Sequence, residues 1–132
     1  MNILSLLIPK ASTIFVLDTS SVRQVLEKIE VHKYSVVPII DENGKYVSSA
    51  SEGDILRFIR NEEEFNLDKL EHICITELER YRPYVAMDIS ASFEELYEIS
   101  LKQNFVPIID DRGIFIGIVT RKNIIEALFK VE

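Results

Sequence analysis

The sequence is poor in several residue types, and each shortage excludes something. Its 132 residues hold one cysteine, Cys74, so no internal disulfide framework exists and a thiolate metal site lacks its partners. There is no tryptophan, and four glycines and four prolines are too few for a collagen-like or low-complexity chain. No apolar run approaches the roughly 20 residues that span a bilayer. The opening Met1–Pro9 has neither a basic start nor a small-residue cleavage site, so a cytoplasmic protein without a membrane partner is expected. Positive charge is scarce as well: 15 Lys and Arg stand against 22 Asp and Glu, a net charge of −7. Such a chain is a poor ligand for nucleic acid, whose phosphates must be neutralised. The phosphate loop, dinucleotide, zinc-protease and nucleophile-elbow motifs are all missing, so no catalysis is expected. His32 and His72 have no ligand spacing around them, and no metal or cofactor is expected. What remains, 47% hydrophobic residues with 28% charged, is enough apolar surface to offset chain entropy in a soluble globular fold.

That fold is written twice. Val37-Pro38-Ile39-Ile40-Asp41-Glu42-Asn43-Gly44 returns as Val106-Pro107-Ile108-Ile109-Asp110-Asp111-Arg112-Gly113, 69 residues later. The same spacing takes Ser51 to Thr120, Asp54 to Asn123 and Ile55 to Ile124. An internal repeat of this kind marks a duplicated structural unit.

Each copy has the same succession of elements. Val22, Val25, Leu26 and Ile29 follow helical spacing behind Ser20 or Ser21, and Phe93, Leu96, Tyr97 and Ser100 do so behind Ser92. The β-branched runs containing Pro38 and Pro107 predict buried strands, with each proline at a strand start or on an unpaired side. Asp at the first and Gly at the fourth position of the following tetrads predict type I turns. Second strands at Tyr46–Ala50 and Ile114–Val119 and closing helices at about Glu52–Arg60 and Arg121–Phe129 complete the pattern. The closing helices carry apolar stripes of Ile55, Phe58 and Ile59, and of Ile124, Ile125 and Leu128. Short strands at Thr13–Leu17 and Tyr84–Met87 open the copies. Asn61–Arg82 reads as a solvated loop with helical turns at Leu67, Leu70 and Leu78.

This doubled V-P-h-h-D-x-x-G-x-h-h-x-h-h-[ST]-x-x-[DN]-[IL] pattern resembles the cystathionine-β-synthase (CBS) repeat in its tandem form, the Bateman module, over residues 9–130. The resemblance implies an α/β (α+β) fold of two β-α-β-β-α repeats packed about a pseudo-two-fold axis. It implies one module over residues 1–132, with repeat 1 at 9–61, a linker at 62–82 and repeat 2 at 83–132. Short stand-alone modules of this kind are expected in bacteria. The family binds adenine nucleotides, adenosyl compounds or cyclic di-AMP between its copies, and two modules often pair as a disc-like homodimer. Two departures stand out. Ser48 occupies a place where the family usually has glycine, as Gly117 does in copy two, and the Ser92-to-Pro107 segment is two residues shorter than Ser21-to-Pro38.

Ser51-Glu52-Gly53-Asp54 has capping-box spacing, which explains Ser51 and Asp54 as helix caps. The resemblance offers a second role, with Asp54 accepting from ribose hydroxyls beside a phosphate-binding helix start. Copy two reads Thr120-Arg121-Lys122-Asn123. Two cations in a first helical turn oppose the helix dipole, so an anion or a salt bridge to Asp110, Asp111 or Glu62–Glu64 is expected there. Asn123 lacks the charge of Asp54, so the two clefts are expected to be unequal. By resemblance, Thr13, Ile14, Val37, Val85, Ala86 and Val106 line adenine pockets; as plain strand residues they are core. His32 reads as a helix-end cation and Cys74 as a small buried hydrophobe. The expected function is a regulatory adenine-nucleotide sensor that signals to an effector protein in trans. The alternative is a ligand-free interaction or dimerisation module.

Overall fold

The computed structural model describes residues 2–62, 66–80 and 83–130. In chain order the strands are β1 (Ile8–Pro9), β2 (Val16–Leu17), β3 (Val36–Ile40), β4 (Tyr46–Ser51), β5 (Met87–Asp88), β6 (Phe105–Ile109) and β7 (Phe115–Thr120). The helices are α1 (Val22–His32), α2 (Glu52–Asn61), α3 (Leu67–Leu70), α4 (Phe93–Ser100) and α5 (Arg121–Lys130). The chain divides into two compact units. Unit 1 comprises Met1–Thr13, Gly44–Tyr46 and Tyr84–Glu132, and unit 2 comprises Ile14–Asn43 and Val47–Pro83.

Unit 2 is built on a sheet of order β2-β3-β4. Helix α1 starts at a full capping box: Ser21 Oγ accepts from the Gln24 N–H at 3.1 Å, and Gln24 Oε1 from the Ser21 N–H at 2.8 Å. It ends at Lys33 in the left-handed region, φ 61°. Its buried stripe of Val22, Val25 and Ile29 packs with Val37, Ile39 and Ile55. Leu70, Ile75 and Leu78 join the same core, so the segment read as a solvated loop supplies three buried side chains. Cys74 is half-buried rather than fully so. Its Sγ lies 2.9 Å from Asp18 O and 3.2 Å from Thr76 Oγ1, an arrangement tied to the bridge between Ser21 and Cys74.

Unit 1 holds the order β1-β7-β6-β5, with Ile3, Leu96, Val106, Ile108, Val119 and Ile124 as its core. The N-terminal segment belongs here: Ile8 pairs with Ile118 and Pro9 with Gly117, antiparallel. Glycine is required at that crossing. A Cβ on Gly117 would lie 2.2 Å from Ile8 O. Ser92 and Glu95 form the capping box of α4. Tyr97 is exposed at the surface, so the stripe of α4 is narrower than the spacing predicts. On α5 the buried pair is Ile124 and Ala127, while Ile125, Leu128 and Phe129 are 46%, 43% and 85% exposed. Ahead of α4, Asp88 Oδ1 accepts from both the Ser90 N–H and its hydroxyl, bonds that hold the Asp88 carboxyl below its ordinary pKa.

Both hairpin turns have the expected chemistry: Asp41 Oδ1 accepts from the Asn43 N–H, Asp110 Oδ1 from the Arg112 N–H, and Gly44 and Gly113 take φ of 84° and 82°. The opening strands are shorter than predicted, two residues each, and the prolines explain why. Parallel pairing begins at Val16 with Ile39 and at Met87 with Ile108, one residue beyond Pro38 and Pro107. The phase of each ladder is set by Asp18 N–H to Ile40 O and Ile89 N–H to Ile109 O. Stepped back along the ladder, the donors due to Ile14 O and Val85 O would be the nitrogens of Pro38 and Pro107, which carry no hydrogen. The prolines therefore sit within strands, beside the place where parallel pairing ends.

Candidate functional site

In unit 2 the site begins with Ser51, the N-cap of α2. Its Oγ accepts from the Asp54 N–H at 3.1 Å. Asp54 is 7% exposed, and its Oδ1 accepts from Arg57 Nη2 at 2.8 Å, one helical turn on. A carboxylate taken from water needs such a partner, and the Arg57 side chain remains 45% exposed. Asp54 and Arg57 line a cavity of about 410 Å³ together with Phe58, Asn61 and Arg80, and with the carboxylates Glu62, Glu77 and Glu79. Small-molecule sites commonly span about 300–1,000 Å³. Glu62 is paired with Lys69, Glu77 Oε2 accepts from the Cys74 N–H, and Arg80 Nε donates to Ser49 O. The Asp54–Arg57 pair thus faces a polar, mixed-charge space. Sequence reasoning singled out Asp54 but not Arg57 or Arg80. The i, i+3 spacing of Asp54 and Arg57 was the available signal, whereas Arg80 stands in a segment of irregular spacing and has none.

In unit 1 Thr120 Oγ1 accepts from the Asn123 N–H at 3.1 Å, matching Ser51 and Asp54. The Asn123 amide Nδ2 lies 3.5 Å from Leu6 O. Arg121 turns back to the preceding helix: its Nε donates to Ser100 O at 2.8 Å, in the last turn of α4, where exposed carbonyls favour a cation. Lys122 is exposed. Among the described residues neither cation forms an ion pair, and Asp110 Oδ1 instead accepts from Arg112 and Ile114 N–H groups. Glu63 and Glu64 lie outside the described residues.

The remaining predicted residues divide into core and edge. Val37 and Val106 are fully buried, one in each core. Thr13 Oγ1 donates to Lys10 O, Ile14 is half-buried, Ala86 is half-buried, and Val85 is 52% exposed. His32 ends α1 and stacks with Tyr34 at 6.3 Å between ring centroids. Among the described residues no group of three or more His, Cys, Asp or Glu side chains could hold a metal ion, and no helix is long and apolar enough to cross a membrane.

Comparison with known proteins agrees with the duplication. A family model described as "CBS domain" matches residues 8–61 and again 77–130. An uncharacterized protein of Methanocaldococcus jannaschii is 25% identical, over 87% of this chain and 85% of its own length. The crystal structure of CbpB in complex with cyclic di-AMP superposes with a TM-score of 0.86 at 24% identity, covering 98% of this chain and 85% of that one. That of CBSX2 in complex with AMP gives a TM-score of 0.76 at 25% identity, covering 96% and 94%.

Proposed function

Because the chain belongs to the CBS domain family, we propose that it is a regulatory module that binds an adenine nucleotide and passes its ligand state to an effector protein in trans, without catalysis. The observation that carries this reading is Asp54, a buried carboxylate fixed by Arg57 at the mouth of α2 and lining a cavity of about 410 Å³. In unit 2, Asp54 takes the ribose hydroxyls, Ser51 marks the helix start, and the Ile14 backbone meets the base above the buried Val37; Thr13, the last residue of unit 1 before it, leads into that edge in sequence. In unit 1, Thr120, Arg121, Lys122 and Asn123 form the start of α5, where the exposed Lys122 attracts phosphate; Val85, Ala86 and Val106 hold the corresponding strand positions. CbpB with cyclic di-AMP and CBSX2 with AMP support the choice of ligand class. Signalling follows from differential affinity, since a ligand shifts only an equilibrium between states that it binds unequally.

A thermal-shift panel of AMP, ADP, ATP, cyclic di-AMP and S-adenosylmethionine tests the proposal. A ligand at a hundredfold excess over its Kd adds about 2.7 kcal/mol, a rise of about 5–12 °C in Tm for a domain of this size. No shift with any of them at millimolar concentration overturns the sensor reading and leaves the ligand-free interaction module.

A specific feature favours that second reading, and is compatible with the first. Ile125, Leu128 and Phe129 expose an apolar patch on α5 that a homodimer would bury. Phe129→Asp is expected to convert a dimer into a monomer in light scattering after size exclusion. An unchanged mass places any dimer contact elsewhere.

A further inference from the structure

The two units treat equivalent backbone edges differently. Pro107 leaves the Val85 carbonyl without a ladder donor, and unit 1 fills that gap with a side chain. Gln103 Nε2 donates to Val85 O at 3.0 Å, while Gln103 Oε1 accepts from the Val85 N–H at 2.9 Å. The second hydrogen on Nε2 serves Phe105 O at 2.9 Å, and Gln103 is 5% exposed. One carboxamide thus occupies the whole donor–acceptor edge of Val85.

In unit 2 the counterpart of Val85 is Ile14, as the matched bonds Asp18 N–H to Ile40 O and Ile89 N–H to Ile109 O show. The counterpart of Gln103 is Tyr34, as shown by Glu52 N–H to Ser35 O beside Arg121 N–H to Asn104 O. Tyr34 is 50% exposed and stacks on His32. Pro38 denies Ile14 O its ladder donor, and among the described residues no hydrogen bond reaches the Ile14 N–H or C=O.

A carboxamide presents one acceptor beside one donor. Adenine presents the same pair, a ring nitrogen beside its 6-amino group. We propose that Gln103 stands in for an adenine base on the Val85 edge, closing unit 1 to the nucleotide, while the open Ile14 edge of unit 2 takes the base. Gln103 is then a specificity-determining residue that holds the chain to one nucleotide. The inference rests on the nucleotide reading above and adds which edge is used.

The test is an AMP titration of the ¹⁵N-labelled chain followed at the two backbone amides, with stoichiometry from calorimetry. At saturation the Ile14 amide is expected to shift and gain protection from hydrogen exchange, the Val85 amide to stay in place, and one AMP to bind per chain. Gln103→Met, which keeps the length but loses the amide, is expected to raise this to two. If AMP binds but the Val85 amide shifts as far as that of Ile14, or if folded Gln103→Met still binds one, the inference fails and the nucleotide reading survives. If no AMP binds, both fail. Should Gln103→Met not fold, the amide shifts of the parent chain decide alone.

Discussion

Gly117→Ala is expected to destabilise the protein by about 3 kcal/mol, a fall of about 10 °C in Tm. The added methyl would meet Ile8 O at 2.2 Å, with Leu7 Cδ1 at 3.0 Å and Ile8 C at 3.1 Å behind it. The obstacle is backbone, and no rotamer change clears it. Relief requires β1 to leave β7, which would pull Ile3, Leu6 and Leu7 from the core they join. The equivalent place in unit 2 gives the control. Ser48 already carries a Cβ, and among the described residues its buried Oγ has no hydrogen-bond partner. Ser48→Ala removes an unsatisfied hydroxyl and is expected to be neutral or to stabilise by about 1 kcal/mol. Urea unfolding of both variants measures the contrast. Equal effects at the two positions would show that the β1 crossing does not govern the choice of residue.

Asp54→Ala is expected to weaken AMP binding about 10- to 100-fold, because hydrogen bonds to a charged acceptor contribute about 1.5–3 kcal/mol. The fold survives, since Arg57 is half-exposed and regains water when its partner is removed. Lys122→Ala, at an exposed site, is expected to cost only a few-fold, and Asn123→Ala less than Asp54→Ala. Binding isotherms with each variant distinguish these outcomes. Affinity unchanged in both Asp54→Ala and Lys122→Ala would refute the residue assignment, whatever the family.

Much of this architecture is legible in the residues. The repeated Val-Pro-Ile-Ile-Asp block locates both hairpins, Ser21 and Ser92 start α1 and α4, and Ser51 starts α2, because strands, turns and caps depend on neighbours in sequence. What escapes is what depends on distant partners. The membership of Met1–Thr13 in unit 1 follows from β1 lying on Gly117, which nothing near Ile8 announces. The burial of Leu70, Ile75 and Leu78 depends on α1, not on their own irregular spacing. The outward placement of Tyr97, Ile125 and Leu128 shows the converse, that an apolar residue on a helical stripe need not face the core. For the candidate site, the motif points to Asp54 and helical spacing offers Arg57, whereas Arg80 and Gln103 emerge only from what their side chains reach. Arg121, read from sequence as a cation at the start of α5, also serves the end of α4.

The account stands on a nucleotide meeting Asp54, and isothermal titration of AMP into the unaltered chain tests that most directly. It predicts saturable binding of one AMP per chain that Asp54→Ala weakens by at least tenfold. Absence of saturable heat with AMP and with cyclic di-AMP at millimolar concentration would contradict it.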